Sequence, residues 1–434
     1  MSISNKPVEK MPPAALEVWL DDVTVGPIAH LGRLYREGTK AVRFEYDTEW
    51  LKRPNAFELD PELKLGAGSF YPKDSNFGVF LDSCPDRWGQ VLMKRRELVE
   101  AKEEGRTKRE LTYWDFFLGV QDLTRMGALR FSPLQTGAKG KPVPSPVYPE
   151  VGCLANEALS APPVTRLAEL QQVALELTRR KQDNLDLLKQ WLHVLVAPGA
   201  SLGGARPKAN LSEQGVLWIA KFPAADDDYD WALREMLLHE MAVNYRLNTA
   251  PARVAQVGRG YHTFLTQRFD RVDGRRRFFT SAMALLGKTE KDEASYLNLA
   301  EFLSNNGAPG HVEEDLHELF RRVLFNVATG NRDDHLRNHG FIHQNNGWRM
   351  APAYDMNPSG KKSEHVLALD DASTVPDLAT VLGTAAFYRL TPAQADADLA
   401  ELCAVIATWE ARAKKLGLSA EDRLELEGCF LASR

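Results

Sequence analysis

In the stretch Gly330-Asn331-Arg332-Asp333-Asp334-His335-Leu336-Arg337-Asn338, four residues separate Asp333 from Asn338. Asp-x4-Asn is the spacing of a phosphoryl-transfer catalytic loop, in which the Asp engages the acceptor hydroxyl and the Asn holds a Mg²⁺. Such loops are followed by a short hairpin and a second metal-binding Asp. Here Phe341 to Ala353 reads as the hairpin, with Asn345-Asn346-Gly347 as its turn, and Asp355 follows in Ala353-Tyr354-Asp355-Met356-Asn357-Pro358. Mg²⁺ takes carboxylate, amide and phosphate oxygens, so the set is chemically coherent. A single Asp in a polar loop most often caps a helix or solvates a turn. Asp, Asn and Asp in this order, with a hairpin between them, point to a site.

Further candidates lie upstream. Lys221 ends the apolar run Leu217-Trp218-Ile219-Ala220. There its ammonium can reach nucleotide phosphates, although an edge-strand lysine that snorkels to solvent has the same sequence. Glu235 stands near the start of the next helix and is a candidate partner for Lys221; Glu240 competes for that role in the same helix. The loop Ser201-Leu202-Gly203-Gly204-Ala205-Arg206-Pro207-Lys208 carries two glycines that permit backbone approach to phosphate, yet it is neither GxGxxG nor a Walker A sequence. His335, His339 and His343 recur every four residues beside Asp333 and Asp334, which on a helix would make a face for Zn²⁺ or Mn²⁺. Gly340 and the Asn-Asn-Gly turn argue that the helix stops short of His343, leaving His335 to order the loop by hydrogen bonds. Arg275-Arg276-Arg277 reads as a solvated turn.

The elements that would position these residues follow from pattern. Leu16 to Leu20 and Ala41 to Tyr46 alternate as strands, with Asp21-Asp22 a turn and Val23 to Leu31 the return strand, giving a small antiparallel sheet. Pro85 opens a helix running to about Lys102. A second helix is expected over Thr112 to Gln121 and a strand over Gly127 to Phe131. Gly137 to Pro149, with four prolines and two glycines, reads as an extended, exposed linker. Helices are expected over Thr165 to Leu177 and Asn184 to Val196. A strand ending at Lys221, a long helix from Asp230 to Leu247 and a strand over Tyr261 to Phe269 follow. That order is the order of a kinase nucleotide lobe. From Thr280 on the chain reads as mainly helical. Thr391-Pro392 starts one helix, Gly417 stops it, and Ser419 caps the last one.

Composition sets bounds. The 434 residues are 44% apolar and 26% charged, as in ordinary globular chains of two or three domains. A net charge of −5 argues against autonomous binding to nucleic acid or acidic membrane. Cys84, Cys153, Cys403 and Cys429 form no CxxC, which fits a reduced, cytoplasmic setting. Neither a signal peptide nor a membrane span is expected.

Taken in order, Ser201 to Lys208, Trp218-Ile-Ala-Lys221-Phe-Pro, Arg268-Phe-Asp-Arg271, Gly330 to Asn338 and Tyr354-Asp355 resemble the signatures of the HipA family of serine/threonine kinases, the toxins of HipBA-type toxin–antitoxin systems. The resemblance implies an α+β, protein-kinase-like two-lobed fold with an N-terminal β-rich subdomain and a mostly helical C-lobe. Its divisions would be residues 1–155, 156–275 and 276–434. It implies ATP and Mg²⁺, with the γ-phosphoryl passing to a Ser or Thr of a protein; the targets of the family include aminoacyl-tRNA synthetases. By motif, Asp333 is the catalytic aspartate and Asn338 and Asp355 hold Mg²⁺. Lys221, Gly203, Gly204, Ala205, Glu235 and His335 belong to the nucleotide site, and Gln267, Arg268 and Phe269 to the hinge that meets the adenine. Ser201 matches the serine whose autophosphorylation ejects the loop. The charge added by phosphate is a sufficient physical cause beside ATP. Arg206-Pro207 departs from the Gln-Glu of the best-known members, and proline fixes φ and removes a donor. Implied partners are a HipB-like helix-turn-helix antitoxin and, mainly through it, DNA. The alternatives are a kinase-inactive corepressor bridging antitoxin dimers on DNA, and a metal-dependent hydrolase built on the His/Asp cluster.

Overall fold

The computed structural model describes residues 13–431 except 39–40, 138–139, 150–153, 155–163, 180–205, 259 and 345. The helix expected over Asn184 to Val196, and Ser201, Gly203, Gly204 and Ala205, lie outside the described residues.

The N-terminal region is an antiparallel sheet in the order β4-β3-β2-β1-β5, where β1 is Ala15–Leu20, β2 Ala29–Glu37, β3 Ala41–Tyr46, β4 Ser69–Phe70 and β5 Leu129–Pro133. Leu16, Val18 and Leu20 alternate into the core, as a period of two requires. The return strand begins at Ala29 rather than Val23. Asp22 is the reason: its carboxylate accepts from the Thr24 and Phe278 amides, which holds 23–28 as a polar turn. The proline-rich segment is also not a free spacer. Gln135 accepts from the Val147 amide at 3.0 Å, Tyr148 stands edge-on to Trp19 at 5.4 Å, and the Leu154 amide donates to Phe131 at 2.8 Å. Its prolines extend it, and Trp19 and Tyr148 then give it an apolar surface to lie on.

The helix Arg87–Glu103 starts after Asp86, whose carboxylate caps the Gly89 amide at 2.8 Å; Pro85 is outside it. The helix expected over Thr112 to Gln121 spans only Tyr113–Leu118, with a Thr112/Asp115 capping box.

A second antiparallel sheet runs β6-β7-β9-β8, with β6 Lys208–Glu213, β7 Val216–Lys221, β8 Ala252–Ala255 and β9 Thr263–Gln267. Gln214 and Gly215, both at positive φ, close β6 onto β7 by a two-residue turn. The two faces of the sheet have separate duties. Ala209, Leu211, Ala220, Phe222 and Leu265 pack in one cluster with Trp88 and Leu92 of the N-terminal region and with Leu170 and Ala174 of the helix Leu167–Thr178. Ile219, Lys221, Phe264 and Thr266 line a cavity on the other face. Helix Trp231–Asn244 follows β7.

The remainder is mostly helical, with two further sheets among the described residues: a ribbon of Arg271–Val272 and Arg275–Arg276, in which Arg276 is buried against Asp122 rather than solvated, and a sheet of Phe279–Ser281, Gly340–Gln344 and Gly347–Met350. Thr280 therefore lies on a strand. The hairpin expected between Phe341 and Ala353 is present, with Asn346 at φ 57° in its turn. The helix expected from Thr391 to Gly417 is two, Pro392–Ile406 and Trp409–Leu416. At the break the Thr408 hydroxyl bonds back to the Val405 carbonyl at 2.7 Å, and Trp409 turns to stack on Phe430 at 4.7 Å. Among the described residues no helix is long and apolar enough to cross a membrane.

Candidate active site

The loop that carries Asp333 is built on helix Val312–Ala328. Gly330 ends it at φ 65°, and a Cβ there would lie 2.9 Å from the Cys429 carbonyl oxygen, so only glycine lets the C-terminal segment close against the loop. Two adjacent aspartates then take opposite roles. Asp334 is buried and accepts from the Tyr296 hydroxyl at 2.7 Å and the Asn326 amide at 2.8 Å, with the His339 ring at 2.7 Å. Burial would raise its carboxyl, but His339 and Tyr296 hold it below the ordinary range. Asp333 points out, with 59% of its side chain exposed, and pairs with Lys362. Anchor and presented group are thus neighbours in sequence and opposed in direction.

Asn338 ends the turn Leu336–Asn338, and its Nδ2 lies 3.5 Å from the Asp333 carbonyl. Its Oδ1 is buried with no hydrogen-bond donor among the described residues. His335 accepts the Asn338 amide on its carbonyl at 2.7 Å. His339 is spent on Asp334. His343 lies on the strand Gly340–Gln344 and stacks on Phe57 at 3.7 Å, where burial pushes its imidazole down to about 4. The three histidines therefore do not share one helical face.

The cavity lies between β6, β7 and β9, the helix Trp231–Asn244 and the segment Ala353–Met356. Ile219, Phe264, Thr266, Tyr354 and Met356 give it apolar walls, with Lys208, Lys221, Glu235 and Asp355 as its charges. The Lys221 ammonium donates to Glu235 and to Asp355, each at 2.6 Å. Glu235, one turn into its helix, is thus the partner rather than Glu240. Burial works against the Lys221 charge, but Asp355 and Glu235 hold its ammonium above the usual lysine range. For Asp355 burial is likewise opposed, by Lys221 and then Lys208, and the carboxyl sits below its usual range. Asp355 has φ 59°, a left-handed conformation that non-glycine residues adopt at a cost and that clusters at functional sites. The Asn357 amide donates to Asn331 Oδ1 at 3.3 Å and the Ser359 amide to the Gly330 carbonyl at 2.8 Å, tying this segment to the Asp333 loop.

The residues expected at the hinge divide. Gln267 bonds through its amide to the Pro251 carbonyl at 2.9 Å, beside the cavity residue Thr266. Phe269 stacks on Tyr354 at 5.7 Å. The Arg268 side chain is fully buried and spent elsewhere: it pairs with Asp270 at 2.6 Å and bonds Asn210 at 2.9 Å and the carbonyls of Thr124 and Arg125. With Asp270 also accepting from the Gly127 amide at 2.7 Å, the Arg-Phe-Asp-Arg stretch clasps the N-terminal region to the second sheet.

Lys208, the last residue of the Ser201–Lys208 motif, is a cavity residue to which reading by motif gave no role. It is the cross-strand partner of Lys221. Counting back from the Gln214-Gly215 turn would have placed it there, because a two-residue hairpin fixes the register.

Comparison with known proteins agrees with this architecture. The HipA N-terminal domain family matches residues 16–112, and the HipA-like C-terminal domain family matches residues 200–414. A HipA from Shewanella oneidensis MR-1, solved in a complex with HipB and operator DNA, superposes with a TM-score of 0.64 at 19% identity, covering 95% of this chain and 94% of that one. The Helicobacter pylori proinflammatory kinase CtkA aligns with 52% of this chain and 92% of its own at 11% identity and a TM-score of 0.36. A putative kinase of Haemophilus influenzae is 34% identical over 71 residues, a match spanning 16% of this chain and 20% of that protein.

Proposed function

The chain belongs to the HipA family, and from that premise we propose that it is a toxin-type serine/threonine protein kinase that uses ATP. The observation that carries the reading is the Glu235–Lys221–Asp355 chain of ion pairs on the wall of an apolar-floored cavity, with Asp355 tied to the Asp333 loop.

Phosphoryl transfer asks a protein mainly for position and fixed charge. The apolar walls receive the adenine, Lys221 faces the phosphates, and Glu235 keeps that ammonium aimed. Asp333, exposed and held by a rigid loop, accepts the hydrogen bond of an incoming Ser or Thr hydroxyl and orients its oxygen at the γ-phosphorus. As the new P–O bond forms, the bond to the β-phosphate oxygen breaks and the hydroxyl proton is released toward Asp333. Asn338 Oδ1, buried with no donor among the described residues, and the Asp355 carboxylate fit a hard cation. Mg²⁺ held there supplies charge neutralisation at the phosphates. A HipB-like antitoxin is the proposed regulator and the route to DNA. Ser201 is the proposed site of self-modification, and an aminoacyl-tRNA synthetase the proposed target.

The test is the intact mass of the chain after incubation with Mg²⁺ and ATP, with peptide mapping. One added phosphate on Ser201, absent in Asp333→Ala, is expected. Phosphate elsewhere discards the Ser201 assignment. Retained self-phosphorylation in Asp333→Ala overturns the catalytic assignment, and failure to bind ATP turns the reading to a corepressor bridging antitoxin dimers on DNA.

A further inference from the structure

Lys208 and Lys221 stand directly opposite one another on β6 and β7 and both line the cavity. Two like charges in that relation repel at close range, so each needs its own counter-ion if both ammoniums are to face one ligand. Lys221 has Glu235 and Asp355. Lys208 is met by Asp86 at 2.8 Å, with 3% and 2% of the two side chains exposed. Asp86 does not belong to this sheet. It stands at the head of helix Arg87–Glu103, in the N-terminal region, and its other carboxylate oxygen caps the Gly89 amide.

A helix start fixed by its own cap is a rigid mount. Asp86 therefore arrives at Lys208 from a direction set by the docking of helix Arg87–Glu103 against β6 and β7, where Trp88 and Leu92 pack in one cluster with Leu211 and Ala220. Two other carboxylates line the cavity, Glu235 and Asp355; Asp355 is the one whose charge feels Lys208, and the proposed mechanism needs it for the cation.

Resting on the kinase reading above, we propose that Asp86 is a positioning residue of the nucleotide site: the N-terminal region supplies the carboxylate that aims Lys208 at the phosphates and keeps it off Asp355. Nucleotide binding is then coupled to the docking of that region, and the catalytic half of the chain is incomplete without it.

The experiment is calorimetric titration of Mg-ATP into the full-length parent, Asp86→Asn, Lys208→Met and the double variant. Asparagine keeps the helix cap and removes only the charge; Asp86→Ser is a second cap-competent variant should the first fold poorly. About tenfold weaker binding is expected for Asp86→Asn, since breaking a buried charge pair is costly. In the Lys208→Met background Asp86→Asn should produce no further loss, a non-additivity that general loosening of the fold would not give. A purely electrostatic role has the opposite sign, because removing a carboxylate beside a polyanion tightens binding. Unchanged or tighter binding by Asp86→Asn, with the parent binding normally, overturns this inference alone. A parent that does not bind Mg-ATP overturns the nucleotide reading and this inference with it.

Discussion

Replacing Lys221 by Met isolates the ion pairs on which the site rests. Methionine keeps roughly the length of the stem beside its cross-strand neighbour Phe264 while deleting the charge. Two carboxylates, the buried Glu235 and the partly buried Asp355, each 2.6 Å from the ammonium, then lose their common counter-ion. Removing one partner of a buried pair costs roughly 3–5 kcal/mol, because the remaining charge is left desolvated. Here the loss is softened by protonation. Burial already raises the Glu235 carboxyl, with Lys221 opposing and Asp355 reinforcing the rise. Without Lys221 it rises further, so the folded state binds a proton that the unfolded state releases. Stability of the variant should therefore increase, relative to the parent, as pH falls through the raised Glu235 value. Calorimetric melting between pH 5 and 8 reads this directly. The expected outcome is a destabilised variant at pH 8 that recovers much of its melting temperature near pH 5, together with loss of ATP binding. A variant as stable as the parent at pH 8, or one whose deficit is independent of pH, refutes the buried-pair argument.

Other perturbations separate structure from chemistry. Asp334→Ala strands the Tyr296 hydroxyl, the Asn326 amide and His339 in the interior and should cost roughly 3–5 kcal/mol by urea unfolding, whereas Asp333→Ala, at an exposed position, should change stability by less than about 1 kcal/mol. Equal losses would reverse the roles given to the two neighbours. Burial raises the Asp60 carboxyl to about 6, against amide hydrogen bonds from Glu62 and Val79. A carboxyl raised on folding is most favourable below its unfolded value, and its stabilising effect is lost as pH climbs toward 6, a change of roughly 3 kcal/mol. Asp60→Asn should flatten the stability profile between pH 4 and 6; an unaltered profile would place that titration elsewhere.

Much was legible in the chain because it depends on local chemistry. The β1 alternation, the Thr391/Pro392 start, the Gly417 stop at φ 91° and the Asn-Asn-Gly turn are short-range effects, and each sits where its residues demand. The spacing of Asp333, Asn338 and Asp355 is legible for the same reason, since a loop and its hairpin lie within one stretch of backbone, whereas Lys221 and Glu235 meet Asp355 only in the folded chain. Errors came where distant residues decided. The return strand moved to Ala29 because Asp22 is engaged by Phe278, and the proline segment lies on the sheet because Trp19 is there to receive Tyr148. Nothing local distinguishes the presented Asp333 from the buried Asp334. Only the approach of Tyr296 and Asn326 fixes which carboxylate turns inward, and only the packing of an N-terminal helix brings Asp86 to Lys208. Burial and long-range ion pairing are properties of the assembled core: a carboxylate's role depends on which donors surround it in space, and sequence spacing does not encode that.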